Sequence, residues 1–302
     1  MVGDTSFGSN EEVWDKLVEL GFFPRRPTCE HCGACLNVER NRRDLHFSVR
    51  CSNRECKRYT NLMAKYQLGG VYKVRSFFAA VTCWVSGDKV STLKGQTGMT
   101  AKTWAHYKQI LQNTVDLTLD RLKANGDHKL GGPGKVVEVD ECKIFSAKYH
   151  RGNPPAADDL WVVGLLERDT NGGRRSAFMV TEKRTAAVLV PFIRDWVEPG
   201  TVLVSDEWRG YTQELEQYYL RPKINHSEQF SRFDIVDGVE MNINTNHIER
   251  EWVEVRKVLR HQNLDAYNDM LNKEIFRLLY LTGKSVEEQA YVVLKKMAEL
   301  NN

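Results

Sequence analysis

The chain has 302 residues, of which 41% are hydrophobic and 27% are charged, and it carries a net charge of +3. This length is enough for a substantial core and for two or more domains, and the composition is that of a globular protein. The sequence has no apolar run long enough to span a bilayer, and its first residues lack the basic and then apolar pattern of a signal peptide. We therefore expect an intracellular protein without a membrane partner, whose seven cysteines are thiols or metal ligands rather than disulfides.

The charge is distributed unevenly along the chain. Residues 21–130 contain 19 Lys and Arg against 8 Asp and Glu, whereas residues 131–302 contain 23 against 27. A basic N-terminal third indicates contact with a polyanion, although a basic solvated surface is the commoner explanation of such a bias. The sequence KLGGPGK at 129–135 is rich in Gly and Pro and predicts a linker between the two parts.

Five of the seven cysteines lie in two short sequences, CEHCGAC at 29–35 and CSNREC at 51–56. Two close pairs of thiolates separated by a strand-sized spacer are typical of a tetrahedral structural zinc site. The predicted zinc ligands are Cys29, Cys32, Cys51 and Cys56. We prefer this first pair because Gly33 allows the backbone to turn under the metal. A first pair of Cys32 and Cys35 stays open, His31 is an outside candidate, and reduced thiols without a metal are the alternative.

Basic residues decorate the same module. They are Arg40, Arg42, Arg43, Arg50, Arg54, Lys57 and Arg58. Arginine suits phosphate contact, because its planar guanidinium group donates two parallel hydrogen bonds to phosphate oxygens. We therefore predict a zinc ribbon that binds DNA through Arg42, Arg43, Lys57 and Arg58.

The next segment predicts three helices, at roughly 72–85, 88–96 and 100–122. Gly98 separates the second from the third, and Thr100 is a natural N-cap for the third. Two helices joined by a short Gly-containing turn are typical of a helix-turn-helix, whose later helix enters the major groove of DNA. The exposed residues near the start of that helix would be Lys102, Thr103, His106 and Lys108. A plain helical bundle that links two domains is the alternative.

After the linker the sequence alternates between strand and helix patterns. Strands are predicted at 135–142, 160–169 and 175–183, followed by a helix at 185–197, a strand at 200–208, a helix at 211–219, a short strand near 220–225 and a long helix at 244–260. Three strands in a meander, then alternating helices and strands, are the arrangement of a ribonuclease H-like fold. The fold class is therefore α/β, with a mixed sheet flanked by helices.

Two of these strands are predicted to stop at acidic pairs. VVEVDE stops at Asp140-Glu141, and TVLVSDE stops at Asp206-Glu207. Because an unpaired carboxylate is costly to bury, a strand that has simply reached solvent is one explanation. In the predicted fold, however, the first strand lies beside the strand that follows the first helix, which would bring Asp140 and Asp206 together.

The sequence TNHIEREW supplies a third carboxylate, Glu249. Thr245 or Asn246 is predicted to cap this helix and to leave Glu249 in its first turns. Glu249 shares a helical stripe with Trp252 and Arg256, whereas the nearby Glu251 and Glu254 are read as solvated helix charges. Three carboxylates around one point suit two Mg²⁺ or Mn²⁺ ions about 3.5–4 Å apart. The sequence has no glycine-rich phosphate loop, so nucleotide hydrolysis is not indicated.

The sequences VVEVDE, LWVVGLLER, TVLVSDEWRGY, INHSEQF and TNHIEREWVEVRK resemble the DDE transposases of the Merlin superfamily and their bacterial insertion-sequence relatives with an ISXO-like domain. The resemblance covers about residues 20–262. It implies cut-and-paste transposition by a ribonuclease H-like domain, acting as a dimer or larger assembly on terminal inverted repeats and target DNA. By position, the catalytic carboxylates would be Asp140, Asp206 and Glu249. Arg256 stands where the family commonly has Lys, which keeps the charge on a residue expected to contact DNA.

This resemblance gives the expected domain organisation. The segments are an N-terminal segment (1–20), a zinc ribbon (21–66), a helix-turn-helix domain (67–128), a linker (129–135), the catalytic domain (136–262) and C-terminal helices (263–302). A domesticated DNA-binding protein that no longer moves DNA, and a structure-selective nuclease, are the competing functions. The favoured location is the nucleus of a eukaryotic host, or the cytoplasm and nucleoid if the host is bacterial.

Overall fold

The computed structural model describes residues 9–38, 47–65, 71, 73–88, 91, 95, 97–146, 159–168, 175–206, 213–220, 223–224, 232–236, 239–259 and 264–300. The chain divides into two compact units. The first comprises residues 1–118 and 283–302, and the second comprises residues 119–282. Within the described ranges, no helix combines the length and the apolar character needed to cross a membrane.

The first unit joins a small β-ribbon to helices. Its elements are α1 (Asn10–Leu20), β1 (Ser48–Arg50), β2 (Tyr59–Asn61), α2 (Leu62–Lys65), α3 (Val74–Ser86), the first part of α4 (Ala101–Asn125) and α9 (Val286–Leu300). Helix α1 begins with a capping box, in which Ser9 and Glu12 exchange side-chain to backbone hydrogen bonds. Its apolar face, with Trp14 and Leu17, is buried, and α9 packs against both α1 and α3. The core of this unit therefore combines helices that precede the second unit in the sequence with one that follows it.

Two of the three helices predicted at 72–122 correspond to α3 and α4. The hydroxyl of Thr100 accepts a hydrogen bond of 3.1 Å from the backbone N–H of Thr103, so Thr100 caps α4 as predicted. The helix predicted at 88–96 lies largely outside the described residues. The helix-turn-helix therefore stays a prediction.

The second unit is an α/β structure built on a five-stranded mixed sheet. The elements are β3 (Leu130–Gly131), β4 (Val136–Ser146), β5 (Asp159–Glu167), β6 (Arg175–Thr181), α5 (Ala186–Trp196), β7 (Val197–Glu198), β8 (Val202–Asp206), α6 (Gln213–Glu216), β9 (Lys223–Ile224), β10 (Arg232–Val236), β11 (Val239–Ile243), α7 (Asn246–Val258), α8 (Leu264–Phe276) and a π-helical turn (Arg277–Leu281). The strand order in the sheet is β6-β5-β4-β8-β9. Strand β5 pairs antiparallel with both β4 and β6, whereas β8 pairs parallel with β4, and β9 pairs parallel with β8.

Strand β4 separates the two faces of this sheet. Val137 and Val139 belong to an apolar core that also includes residues of helix α5. The alternating residues Glu138, Asp140 and Cys142 project to the other face, where each contacts helix α7. The period-two alternation of a strand thus gives β4 one apolar face and one polar face.

The predicted strand end at Asp140 is wrong. Strand β4 continues to Ser146, because its pairing with β5 extends to the Ser146–Asp159 pair. The strand that ends at this level is β8, the neighbour of β4 on its other side, whose last residue is Asp206. Sequence analysis also missed the hairpin of β10 and β11, whereas it located β4, β5, β6, β8, α5 and α7.

Candidate active site and metal centre

Asp140 and Asp206 lie at the same level on two neighbouring parallel strands. The pairing of β4 with β8 runs from Val136–Val202 to Val139–Ser205, and the two aspartates are the next residues along each strand. Asp206 is also the last residue of β8 and pairs with Ile224 of β9. The register therefore brings the backbones of the two predicted carboxylates side by side at the point where β8 ends.

Helix α7 lies along the polar face of β4 and makes contacts at regular intervals. Glu138 accepts hydrogen bonds from the start of the helix, Asp140 accepts one from Trp252, and the sulfur of Cys142 accepts one of 2.9 Å from Arg256. Residues two apart on a strand are about 6.6 Å apart, and four residues of α-helix rise about 6 Å. The matching spacings let α7 run parallel to β4 with one contact for each helical turn.

Gly164 makes room for this packing. It pairs directly with Asp140 across β4 and β5. A Cβ atom at Gly164 would lie 2.5 Å from Cη2 of Trp252 and 2.9 Å from Cδ1 of Ile248. Because these distances are too short for any side chain, the close approach of α7 to the sheet requires a glycine at this position.

The first turn of α7 is not capped as the sequence predicted. The Thr245 side chain makes no capping hydrogen bond, and its hydroxyl instead donates to Oε1 of Glu249 at 2.9 Å. The buried carboxylate of Glu138 takes over this role and accepts from the backbone N–H groups of His247 and Ile248, at 3.0 and 2.9 Å. A distant strand therefore supplies the cap, which local sequence patterns do not reveal.

The helix distributes its acidic residues over different sides. Glu249 and Arg256 are seven residues apart and project from nearly the same side as Trp252, the residue bonded to Asp140. Glu251 is 2% exposed, so its interpretation as a solvated charge is wrong. Glu254 is exposed and bonded to Lys257, which lowers its pKa, as expected for a surface charge. Of the three glutamates, Glu249 lies on the Asp140 side of the helix.

The four cysteines of the preferred set come together in the first unit. The sulfur atoms of Cys29, Cys32, Cys51 and Cys56 all lie within 4.8 Å of one another. Sulfur ligands at about 2.3 Å from a tetrahedral zinc ion are about 3.8 Å apart. The Cys29–Cys56 and Cys32–Cys51 sulfur separations, 3.8 and 3.6 Å, fit this geometry. Among the described residues, this is the only group of His, Cys, Asp or Glu side chains arranged to hold a metal.

The other candidates lie outside this cluster. Cys35 is exposed and pairs through its backbone with Thr28, while His31 lies 3.3 Å from the carboxylate of Glu30. Gly33 has a φ of +73°, in the left-handed region that its predicted turn requires.

The thiols of the cluster differ strongly in acidity. The pKa of Cys29 is lowered to about 6, chiefly because the backbone N–H of His31 donates to its sulfur. The backbone N–H of Asn53 lowers the pKa of Cys51, but burial and the neighbouring thiols outweigh it and raise the value to about 12. A backbone N–H likewise lowers the pKa of Cys56, and burial with the adjacent thiols raises it on balance. Without a metal at neutral pH, Cys29 is therefore a thiolate, whereas Cys51 and Cys56 are protonated.

Comparison with protein families assigns the second unit. Residues 133–271 match the family described as the ISXO2-like transposase domain. This segment is similar to the ISXO2-like transposase domains. The predicted relationship to the DDE transposases of insertion sequences is thereby confirmed. Comparisons with curated proteins and with solved structures gave no match.

The ISXO2-like domain spans the strands and the helix that carry Asp140, Asp206 and Glu249, and it also includes Arg256. The cysteine cluster precedes it. Sequence analysis missed Glu138 and Gly164 of this domain. Glu138 could have been found from the alternation of VVEVDE, because it shares a strand face with Asp140.

Most residues predicted to contact DNA lie in the first unit, outside the ISXO2-like domain. Arg42 and Arg43 fall outside the described residues. The exposed ones are Lys57, Arg58, Lys102, His106 and Lys108. Thr103 is half-buried, and its hydroxyl is hydrogen-bonded to that of Thr100. Arg256 is exposed, but its Nε donates to Cys142, so this cation is held on the sheet.

Proposed function

We propose that this chain is a cut-and-paste DNA transposase. The observation that carries the proposal is the alignment of Asp140 with Asp206 on neighbouring parallel strands, with the Glu249 helix packed on the same strand, inside an ISXO2-like transposase domain. The strand order, with β4 between the antiparallel β5 and the parallel β8, supports a ribonuclease H-like fold for this domain.

Asp140, Asp206 and Glu249 are the proposed ligands of two Mg²⁺ or Mn²⁺ ions. Carboxylate oxygens are hard ligands and fit these cations. When bound, such a pair of ions activates the attacking water or 3′-hydroxyl and stabilises the leaving oxygen of the DNA strand. Trp252 orients the carboxylate of Asp140 through its indole N–H, and Arg256 adds positive charge on the same side of the helix.

The first unit is proposed to bind the terminal inverted repeats. The four-cysteine cluster fits a structural Zn²⁺ ion. Near it in the sequence, Arg50, Arg54, Lys57 and Arg58 are exposed, and Tyr59, the first residue of β2, is 61% exposed. Cations on a rigid zinc module suit phosphate contacts, and an exposed aromatic ring adds contact area. A dimer or larger assembly would hold two transposon ends for joint cleavage.

Cleavage of labelled DNA tests this proposal. The substrate is taken from the inverted repeats flanking the gene, and Asp140→Asn and Asp206→Asn are compared with Glu254→Gln, an exposed glutamate paired with Lys257. We expect the two Asn variants to bind the repeat but to lose cleavage by several orders of magnitude, and Glu254→Gln to retain it. Repeat binding without Mg²⁺-dependent cleavage by the unsubstituted protein would instead support a domesticated DNA-binding protein.

A further inference from the structure

Glu138 is a fully buried carboxylate, 0% exposed, two residues before Asp140 on the same face of β4. Beyond the two backbone N–H groups of α7 that it accepts, its Oε1 accepts from Nδ1 of His247 at 2.7 Å. It also accepts a short bond from Nε of Arg168. Three of these four donors belong to His247 and Ile248, in the first turn of the helix that carries Glu249. This one carboxylate therefore fixes that turn to β4.

Arg168 extends the same connection to the backbone before the helix. It follows β5 directly, and its two terminal nitrogens donate to the carbonyl oxygens of Asn242, at 2.6 Å, and Asn244. The guanidinium group therefore binds Glu138 with one nitrogen and the backbone segment that precedes α7 with the other two. This use of a planar fork cannot be reproduced by lysine.

We propose that Glu138 and Arg168 are positioning residues, which together form a clamp. The clamp fixes the position of α7 along β4 and thereby the position of Glu249 relative to Asp140. This inference rests on the proposed function, because it takes Glu249 as a metal ligand. Without the clamp, the contacts of Trp252 and Arg256 would remain, but the turn that carries Glu249 would lose its attachment. A carboxylate at a helix N-terminus also suits the positive end of the helix dipole.

A purely stabilising role for Glu138 is separable from positioning, because the domain contains a matched carboxylate. Glu167 is 6% exposed, accepts a hydrogen bond of 2.7 Å from the backbone N–H of Gly131, and pairs with Lys135 at 2.8 Å. It is therefore buried, ion-paired and bonded to a backbone amide, as Glu138 is. Its partners, however, lie outside α7: Gly131 and Lys135 precede β4, and Arg175, whose Nη1 is 3.9 Å from its carboxylate, begins β6.

The experiment compares Glu138→Gln, Arg168→Lys and Glu167→Gln in the full chain. Hydrogen exchange of the backbone amides at 246–250 is measured without metal, and Mn²⁺ is titrated in the cleavage of pre-bound repeat DNA. We expect faster exchange at 246–250 in the first two variants. We also expect the Mn²⁺ concentration for half-maximal cleavage to rise about 10- to 100-fold, with partial rescue at high Mn²⁺. Glu167→Gln should lower the melting temperature and leave both readouts unchanged.

Two results would overturn the inference. One is unchanged exchange and an unchanged Mn²⁺ midpoint in folded Glu138→Gln and Arg168→Lys. The other is an equal change in hydrogen exchange and in the Mn²⁺ midpoint in Glu167→Gln. That result would mean that Glu138 and Arg168 contribute only to the overall stability of the domain. If the unsubstituted chain neither binds Mn²⁺ nor cleaves DNA, the proposed function fails, and hydrogen exchange alone decides whether the clamp holds α7. If Glu138→Gln does not fold, Arg168→Lys decides, because it keeps the charge and loses only the fork.

Discussion

The indole N–H of Trp252 donates a hydrogen bond of 2.6 Å to Oδ2 of Asp140, which ties the middle of α7 to β4. Trp252 is 5% exposed, and its ring packs near Phe178 and over Gly164. The bond fixes the orientation of a carboxylate that the proposed function places on a metal ion. Groups that orient a metal ligand in this way influence affinity as well as geometry.

Replacement of Trp252 by Phe tests this bond. The substitution keeps an aromatic ring against the sheet but removes the N–H donor, so we expect cleavage to fall about 10- to 100-fold while repeat binding is retained. Single-turnover cleavage and filter binding measure the two effects. Trp161→Phe is the matched control, because Trp161 stacks on Arg184 and lies three residues from Gly164 on β5, where the alternation of a strand turns it to the opposite face. A loss of equal size in both variants would argue against an orienting role.

Gly164→Ala is expected to separate α7 from the sheet. The added methyl group overlaps Trp252 and Ile248, and overpacking of this kind costs about 1–3 kcal/mol in the free energy of unfolding. Urea denaturation measures the stability loss, and a cleavage assay should show a parallel loss of activity. Gly95→Ala is the control, because a Cβ there meets no atom within 4 Å. Unchanged stability in Gly164→Ala would mean that the helix can shift without cost.

Substitution of Glu249 and substitution of Glu251, two glutamates of α7, should affect cleavage and stability differently. Glu249→Gln is expected to abolish Mg²⁺-dependent cleavage with little change in the melting temperature, because Glu249 is exposed. Glu251→Gln should mainly reduce stability, because Glu251 is buried and interacts favourably with a cation. The pKa of Arg277 is raised chiefly by its hydrogen bond to Glu274 and further by the charge of Glu251. Thermal melts and cleavage assays on both proteins distinguish these effects. The reverse pattern would identify Glu251 as the third carboxylate of the site.

Substitution of Cys32 and substitution of Cys35, both in the sequence CEHCGAC, should have different effects on zinc binding. Cys32→Ser removes one sulfur of the four-sulfur cluster, so we expect loss of bound zinc, unfolding of the β-ribbon and weaker binding to repeat DNA. Cys35→Ser should keep one zinc per chain, because Cys35 lies outside the cluster and is exposed. Atomic absorption and gel-shift titrations check both. Zinc retention in Cys32→Ser with loss in Cys35→Ser would exchange the assigned pair.

Zinc binding should release protons in a pH-dependent number. At pH 7 Cys51 and Cys56, whose pKa values are raised, carry protons that a metal must displace, whereas Cys29, with a pKa of about 6, is already ionised. At least two protons are therefore released per zinc at neutral pH, and one more below about pH 6 as Cys29 becomes protonated. The apparent affinity for zinc should fall as the pH decreases. Calorimetry in buffers of different ionisation enthalpy counts these protons, and a release of fewer than two at pH 7 would contradict the assigned acidities.

The sequence predicted the elements that have strong local patterns. Runs such as VVEVDE and TVLVSDE identified β4 and β8, and the paired cysteine spacing identified the four sulfurs that come together. Where the prediction was wrong, the deciding contact is distant along the chain. The β5 pairing that extends β4 beyond Asp140, the capping of α7 by Glu138 and the burial of Glu251 all depend on residues far away in the sequence. Gly164 was missed for the same reason, since its role is visible only once Trp252 lies above it.

The membership of α9 in the first unit has a consequence for how the protein is made. Helix α9 packs on α1 and α3, so the second unit is inserted within the sequence of the first. On the ribosome, α1 and α3 must wait for the whole inserted segment to be synthesised before α9 emerges. A premature stop after residue 282 would leave residues 119–282 whole but expose apolar surface on α1 and α3. A nonsense mutation just beyond the second unit would therefore damage the unit that was synthesised before it.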